Sequence, residues 1–303
     1  MFFKKILLSV TSSPESDYAA REAVRLAQQN HAKLYVFHAY GIEYGWGKVR
    51  HLIPCGEVDK MQAQLEAYYR DLTLSLPEVS FAVVPGLPHT EILRFARKKK
   101  IDLIVMGPHA SKEVESHSSI WGTAGSCLEK VSQKARCAVM IVTRPVNASE
   151  DHIQQVLVAT DFSRPASCAL QYGCRIACEY KAGLHVFHAV PVQDGYYGVQ
   201  QDQEAIEAGC LDAVSRINQE CEGRLEGITK FSAEAWEGTP SQEILKSARR
   251  IKADLIVMAH HSKDTTNEAF MGSTTVRVAL RAHCPVMSVN YRAIAGKVRE
   301  DED

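Results

Sequence analysis

The sequence predicts two tandem α/β domains, each a doubly wound five-stranded parallel sheet covered by helices, and three observations carry the prediction. The chain of 303 residues has room for two domains of about 150 residues each. Its two halves repeat one another segment by segment. Within each half, short runs of Val, Ile and Leu alternate with helical stretches, the pattern of a parallel sheet buried on both faces. A hydrophobic content of 46% supplies a core for both halves.

Taken in order, strand one of half two is read at Val156 to Thr160, and the helix after it holds Arg175-Ile176-Ala177, the counterpart of Arg25-Leu26-Ala27. Leu34-Tyr35-Val36-Phe37-His38-Ala39 recurs as Leu184-His185-Val186-Phe187-His188-Ala189, which sets strand two, read to Val190. Strand three of half two is read at Phe231 to Trp236. Gly86-Leu87-Pro88 with Glu91-Ile92-Leu93 recurs as Gly238-Thr239-Pro240 with Glu243-Ile244-Leu245. Thr239-Pro240-Ser241 reads as a capped helix start with Pro in the first turn, and Pro88-His89-Thr90 plays the same part. Arg97-Lys98-Lys99-Lys100 ends that helix in half one, where cations complement the helix dipole.

Asp102-Leu103-Ile104-Val105-Met106 reappears unchanged as Asp254-Leu255-Ile256-Val257-Met258 and marks strand four. Gly125-Ser126 then answers Gly272-Ser273, with extra residues in half one between Met106 and Gly125. Cys137-Ala138-Val139-Met140 answers Cys284-Pro285-Val286-Met287 at strand five, read in half two at Val286 to Asn290, and each cysteine is expected as a small buried residue. The polar, Pro-containing run from Arg144 to Asp151 separates the copies, giving domains at 1–145 and 151–293 with an acidic tail at 294–303. Tyr40 to Gly56 and Gln193 to Asp202 interrupt the repeat as variable loops.

Charge and composition narrow the function. With 35 basic and 36 acidic residues the net charge is −1, so no basic field is available for nucleic acid or an anionic membrane surface. No apolar run approaches the ~18 residues that a membrane helix needs, and the start lacks a signal-peptide core. The nine cysteines are scattered like reduced thiols, so a cytoplasmic location is expected. Fingerprints for dinucleotide, P-loop, zinc-protease and serine-hydrolase chemistry are missing. His260-His261, His38, His185 and His188 raise the question of a metal, but they have no ligand spacing; His38 and His188 read as satisfied or site-lining, and no metal is expected. Cys174 and Cys178, one helical turn apart, are expected to be buried against the sheet.

Val158-Ala159-Thr160-Asp161-Phe162-Ser163, Ala253-Asp254-Leu255-Ile256-Val257-Met258 and Ala282-His283-Cys284-Pro285-Val286 resemble the first-, fourth- and fifth-strand signatures of universal stress proteins. The resemblance covers essentially both halves. It implies the adenine nucleotide alpha hydrolase-like, Rossmann-like form of the fold. It further implies an intrachain pseudo-dimer paired through strand five, with a homodimer of whole chains left open.

Members of the family that bind ATP carry GxxG, nine residues, then Gly-Ser/Thr after strand four. Glycines there let the backbone approach phosphates, and the Gly-Ser step opens a helix whose free N–H groups favour anions. In half two Ala259, Ser262 and Gly272 stand where the glycines belong, Ser273-Thr274 follow, and His261 matches a loop histidine. Asp161, beside Thr160, stands at the nucleoside position, and Val190 and Met258 at strand ends complete the implied site. Half one keeps Gly107, His109, Gly125 and Ser126, but Ala110 replaces a glycine, the spacer is longer, and Thr11 stands in place of the aspartate.

The resemblance therefore implies ATP or a related adenine nucleotide, with Mg²⁺ as its companion, in domain two, and at most slow ATP hydrolysis with no catalytic residue assigned. The alternative is a stress adaptor that has lost the nucleotide and acts through protein interactions, which the replaced glycines favour. An enzyme acting on a small metabolite rests on fold analogy alone.

Overall fold

The computed structural model describes residues 2–11, 14–40, 56–108, 126–146, 153–191, 203–259 and 273–290. The chain divides into two compact units, one built on Met1–Val146 and the other on Asn147–Tyr291. Unit one runs β1 (Lys5–Ser9), α1 (Pro14–Asn30), β2 (Lys33–Tyr40), α2 (Glu57–Thr73), β3 (Val79–Pro85), α3 (Pro88–Lys99), β4 (Leu103–Met106), α4 (Ser126–Lys134) and β5 (Ala138–Ile141). Unit two repeats it with β6 (Gln155–Thr160), α5 (Arg164–Tyr180), β7 (Gly183–Val190), α6 (Gln203–Cys221), β8 (Phe231–Glu237), α7 (Pro240–Arg250), β9 (Leu255–Ala259), α8 (Ser273–Arg281) and β10 (Val286–Val289).

In unit one the strand order is β3-β2-β1-β4-β5, and in unit two it is β8-β7-β6-β9-β10, with the pairings within each unit parallel. The central strands read as unbroken apolar runs because helices cover both faces. Ile6, Leu7 and Leu8 are buried in succession on β1, and Val156, Leu157 and Val158 on β6. Every predicted strand of half two is found, with ends shifted by no more than one residue.

Two local devices recur in both units. Asp102 Oδ2 accepts the backbone N–H groups of Lys4 and Lys5, each at 3.0 Å, and Asp254 Oδ2 accepts those of Gln154 and Gln155 at 2.9 and 2.8 Å. Each aspartate thus ties the residue before strand four of its unit to the start of strand one. The turns that leave α1, α3, α5 and α7 contain His31, Lys100, Lys181 and Lys252 at φ of 48, 52, 53 and 54°. These non-glycine residues hold the left-handed conformation that ends a helix, and the N–H groups of Lys100 and Lys181 bond back to the last helical carbonyls.

Three local expectations need correction. Thr239 stands at the N-cap of α7, with Pro240 next, but its side chain makes no capping bond; the first turn is held instead by the Gln242 and Glu243 N–H groups bonding to the Thr239 carbonyl. Cys174 is buried, whereas Cys178, in the last turn of α5, is exposed. Cys137 is buried as expected, while Cys284 keeps some exposed surface although burial pushes its thiol up to about 12. The loops at 41–55 and 192–202, His260 and the acidic tail lie outside the described residues.

Candidate functional site

In each unit the first strand is flanked by the second on one side and the fourth on the other, so consecutive connections leave it in opposite directions. That reversal opens a crevice at the carboxyl ends of the strands, the usual ligand position in open α/β sheets. In unit two the switch point lies between β6 and β9.

The sequence-predicted residues gather at this end. Thr160 is the last residue of β6 and Asp161 follows it; Val190 ends β7; Met258 and Ala259 end β9; Ser273 and Thr274 open α8. His261, Ser262 and Gly272 lie outside the described residues. Thr275, one residue further along α8, is buried and donates its hydroxyl to the Ala259 carbonyl at 3.3 Å. That bond fixes the start of α8 against the end of β9, and so directs the amino end of the helix to the carboxyl side of the sheet. Met258 is buried, at 5% exposure, so its side chain is not presented at the strand end.

The β6–α5 turn is tightly specified. Thr160 Oγ1 accepts the Phe162 N–H at 3.0 Å, Asp161 Oδ1 accepts the Ser163 N–H at 3.0 Å, and Ser163 Oγ caps α5 by accepting the Ala166 N–H at 3.2 Å. The result is an Asx turn that holds an exposed carboxylate at the strand end. Phe162 adopts φ 61°, a strained conformation for a bulky residue. Its ring is held between His188, with centroids 4.5 Å apart, and the Arg216 guanidinium, 4.3 Å from the ring centre. Arg216 also donates to the Phe162 carbonyl at 3.4 Å, and His188 donates from Nδ1 to the Thr160 carbonyl at 2.8 Å.

Unit one shares the histidine but not the acid. His38 donates from Nδ1 to the Val10 carbonyl at 2.9 Å, as His188 does to Thr160. Thr11 stands where Asp161 stands, and its N–H and hydroxyl both meet the buried Ser16 Oγ, at 2.9 and 3.1 Å. Gly107 follows β4 and is buried, Ser126 opens α4, and His109 and Gly125 fall outside the described residues. Both histidines line the strand ends with a ring nitrogen committed to backbone, which suits a positioning role.

Sequence reasoning missed Arg216, which comes from α6, and the strained Phe162 it clamps. It also missed a buried network on β7. His185 Nδ1 lies 2.7 Å from Ser232 Oγ, and its Nε2 lies 3.2 Å from both Ser247 Oγ and Glu234 Oε2. Burial holds this imidazole below its ordinary value of 6.5, with Arg250 adding to the effect and Glu234 opposing it. Among the described residues no three or more His, Cys, Asp or Glu side chains converge as metal ligands.

Comparison with known proteins gives consistent results. The sequence model of the universal stress protein family matches twice, over residues 2–143 and 152–290. A universal stress protein of Methanocaldococcus jannaschii is 28% identical over 155 residues, covering 49% of this chain and 89% of its own length. One from Thermus aquaticus is 31% identical over 134 residues, covering 44% of this chain and 96% of its own. Among solved structures, a universal stress protein from Archaeoglobus fulgidus superposes with a TM-score of 0.68 at 22% identity, covering 94% of this chain and 96% of that one. At that identity the likeness is one of fold, and it extends over both units.

Proposed function

Because the chain belongs to the universal stress protein family and carries two copies of its domain, we propose that unit two binds ATP or a related adenine nucleotide at the β6/β9 switch point and acts in the stress response. The observation that carries the reading is the exposed Asp161 carboxylate, held by its Asx turn at the carboxyl end of β6, the strand that pairs with β9. A carboxylate there suits the hydroxyl groups of a ribose, and the α8 N–H groups suit phosphate oxygens. Ala259 and Ser262 replace glycines with small side chains, which a phosphate cradle tolerates wherever the backbone keeps φ negative. Ser273 and Thr274 would then meet the phosphates and Val190 the base. Any Mg²⁺ would arrive with those phosphates, since protein sites for that ion supply only one or two ligands of their own.

The domains are taken as 1–145 and 151–293. A cytoplasmic setting fits the scattered cysteines, and no described helix is long and apolar enough to cross a membrane.

The test is calorimetric titration of ATP, with and without Mg²⁺, into the full chain and into Asp161→Ala and Gly272→Val variants. Saturable binding that either variant loses supports the reading. No heat and no thermal stabilisation at millimolar ATP overturns it and leaves the second reading, an adaptor acting through protein contacts. That alternative draws its support from the replaced glycines in both copies and from Thr11 in place of an aspartate in unit one.

A further inference from the structure

The two units fill the space beneath α3 and α7 differently. In unit one Phe95 of α3 packs on Phe37 with centroids 4.9 Å apart and on Tyr35 at 5.6 Å, an apolar aromatic plug. In the repeat, His185 takes the place of Tyr35, Ser247 of Phe95, Glu234 of Ala82, Trp236 of Val84 and Arg250 of Lys98. A hydroxymethyl group thus stands where unit one has a phenyl ring. Beside it lies a cavity of about 240 Å³, lined by Trp236, Glu243, Lys246, Ser247 and Arg250.

Of the residues lining this cavity only Ser247 is buried, and behind it Ser247 meets the His185 ring. Ser247 is 3% exposed and His185 4%, and the His185 ring links Ser232, Ser247 and Glu234. The cations at the mouth are already neutralised, Arg250 by Glu234 and Lys246 by Glu243 at 2.7 Å. Such a lining does not select a bare anion. It offers instead the Trp236 indole, 51% exposed on the edge strand β8, and a hydroxyl next to the volume that an aromatic ring fills in the sister unit. Satisfying His185 requires its hydrogen-bond partners, but it does not require an open cavity walled by tryptophan.

We propose that unit two carries a second small-molecule site, between α7 and β8, that takes a planar aromatic ring bearing a hydrogen-bonding group. The ring lies against Trp236 and its polar group donates a hydrogen bond to Ser247 Oγ, whose own proton is directed at Glu234. The site is set on α7 and β8, away from the switch point between β6 and β9, and stands whether or not the nucleotide reading does.

The test uses phenol as the probe and cyclohexanol as a non-planar control, with binding to the full chain followed by saturation-transfer NMR. Phenol is expected to bind saturably, and cyclohexanol about tenfold more weakly, the scale of one aromatic contact. Ser247→Phe, which restores the residue of unit one, and Trp236→Ala are each expected to weaken phenol about tenfold or more. Asp161→Ala is expected to leave it unchanged. Absence of saturable phenol binding, equal binding of cyclohexanol, or full phenol binding in Trp236→Ala would each overturn the proposal. Trp236→Ala decides the matter even if Ser247→Phe does not fold, because the tryptophan is half exposed at a sheet edge.

Discussion

Removing the Asp254 carboxylate probes how much one side chain contributes to the start of a parallel sheet. Its Oδ2 accepts two backbone N–H groups, from Gln154 at 2.9 Å and Gln155 at 2.8 Å. A hydrogen bond to a charged acceptor contributes about 1.5–3 kcal/mol when the donor is left without a replacement. The Gln154 bond is exposed, so water recovers most of it, whereas the Gln155 bond is partly buried and does not recover fully. Asp254→Ala is therefore expected to destabilise the start of β6 by about 2 kcal/mol, and Asp254→Asn, which keeps an oxygen but not the charge, by about 1 kcal/mol. In hydrogen exchange followed by mass spectrometry, 2 kcal/mol appears as an increase of about thirtyfold in the exchange of peptides from β6. The β1 peptides should be unaffected. Asp102→Ala should show the reverse, because Asp102 binds Lys4 and Lys5 in unit one. Unchanged β6 exchange in Asp254→Ala, or equal loss in both units from one substitution, would refute this reasoning.

Three further outcomes follow from packing and ionisation. Burial lowers the folded-state value of His185 below 6.5, so the unfolded chain takes up that proton first. The contribution of His185 to stability is then complete above about pH 6.5 and is lost progressively as the pH falls from there through the lower folded-state value; His185→Phe should flatten this part of a stability profile measured by thermal unfolding. Burial pushes the Cys284 and Cys221 thiols up to about 12 and that of Cys127 to about 11, while Cys178 is exposed. Iodoacetamide at pH 8 should label Cys178 well before these three by peptide mass spectrometry, and equal labelling would count against the described burial. A Cβ added at Gly173 would lie 2.3 Å from Val158 Cγ2, where α5 crosses β6. Gly173→Ala should cost about 1–3 kcal/mol in urea unfolding despite its better helix propensity, and Val158→Ala in the same chain should restore part of the loss.

Most of the fold was legible because the chain states it twice. Leu34 to Ala39 and Leu184 to Ala189 share spacing and type, so a strand assigned in one half confirms its counterpart in the other. The strand-end residues Thr160, Asp161, Val190, Met258 and Ala259 were assigned to one site through the family resemblance, and the parallel sheet brings those strand ends to one side. Arg216 was not legible. It lies 54 positions from Phe162, and stacking of a guanidinium on a ring leaves no local spacing to read. His185 was visible as a histidine but not as the centre of a network, because Ser232 and Glu234 come from β8 and Ser247 from α7. Thr239 showed the limit of cap rules: the residue type and the following proline were right, but the hydroxyl was not used.

The paired aspartates carry a further consequence. At the amino ends of the two sheets the copies kept the same clamp, Asp102 on Lys4 and Lys5, Asp254 on Gln154 and Gln155. At the carboxyl ends they differ: the exposed Thr11 bonds to the buried Ser16 in one, and the exposed Asp161 accepts the Ser163 N–H in the other. About the first strand, divergence between the copies therefore runs along the strand axis: the clamp at its start is a shared foundation, and the turn after it is free to specialise. A duplicated chain of this kind behaves as an experiment on itself, in which each unit is the isogenic control for its sister. Chimeras that exchange only the segment after the first strand would move the specialised turn and leave both foundations intact.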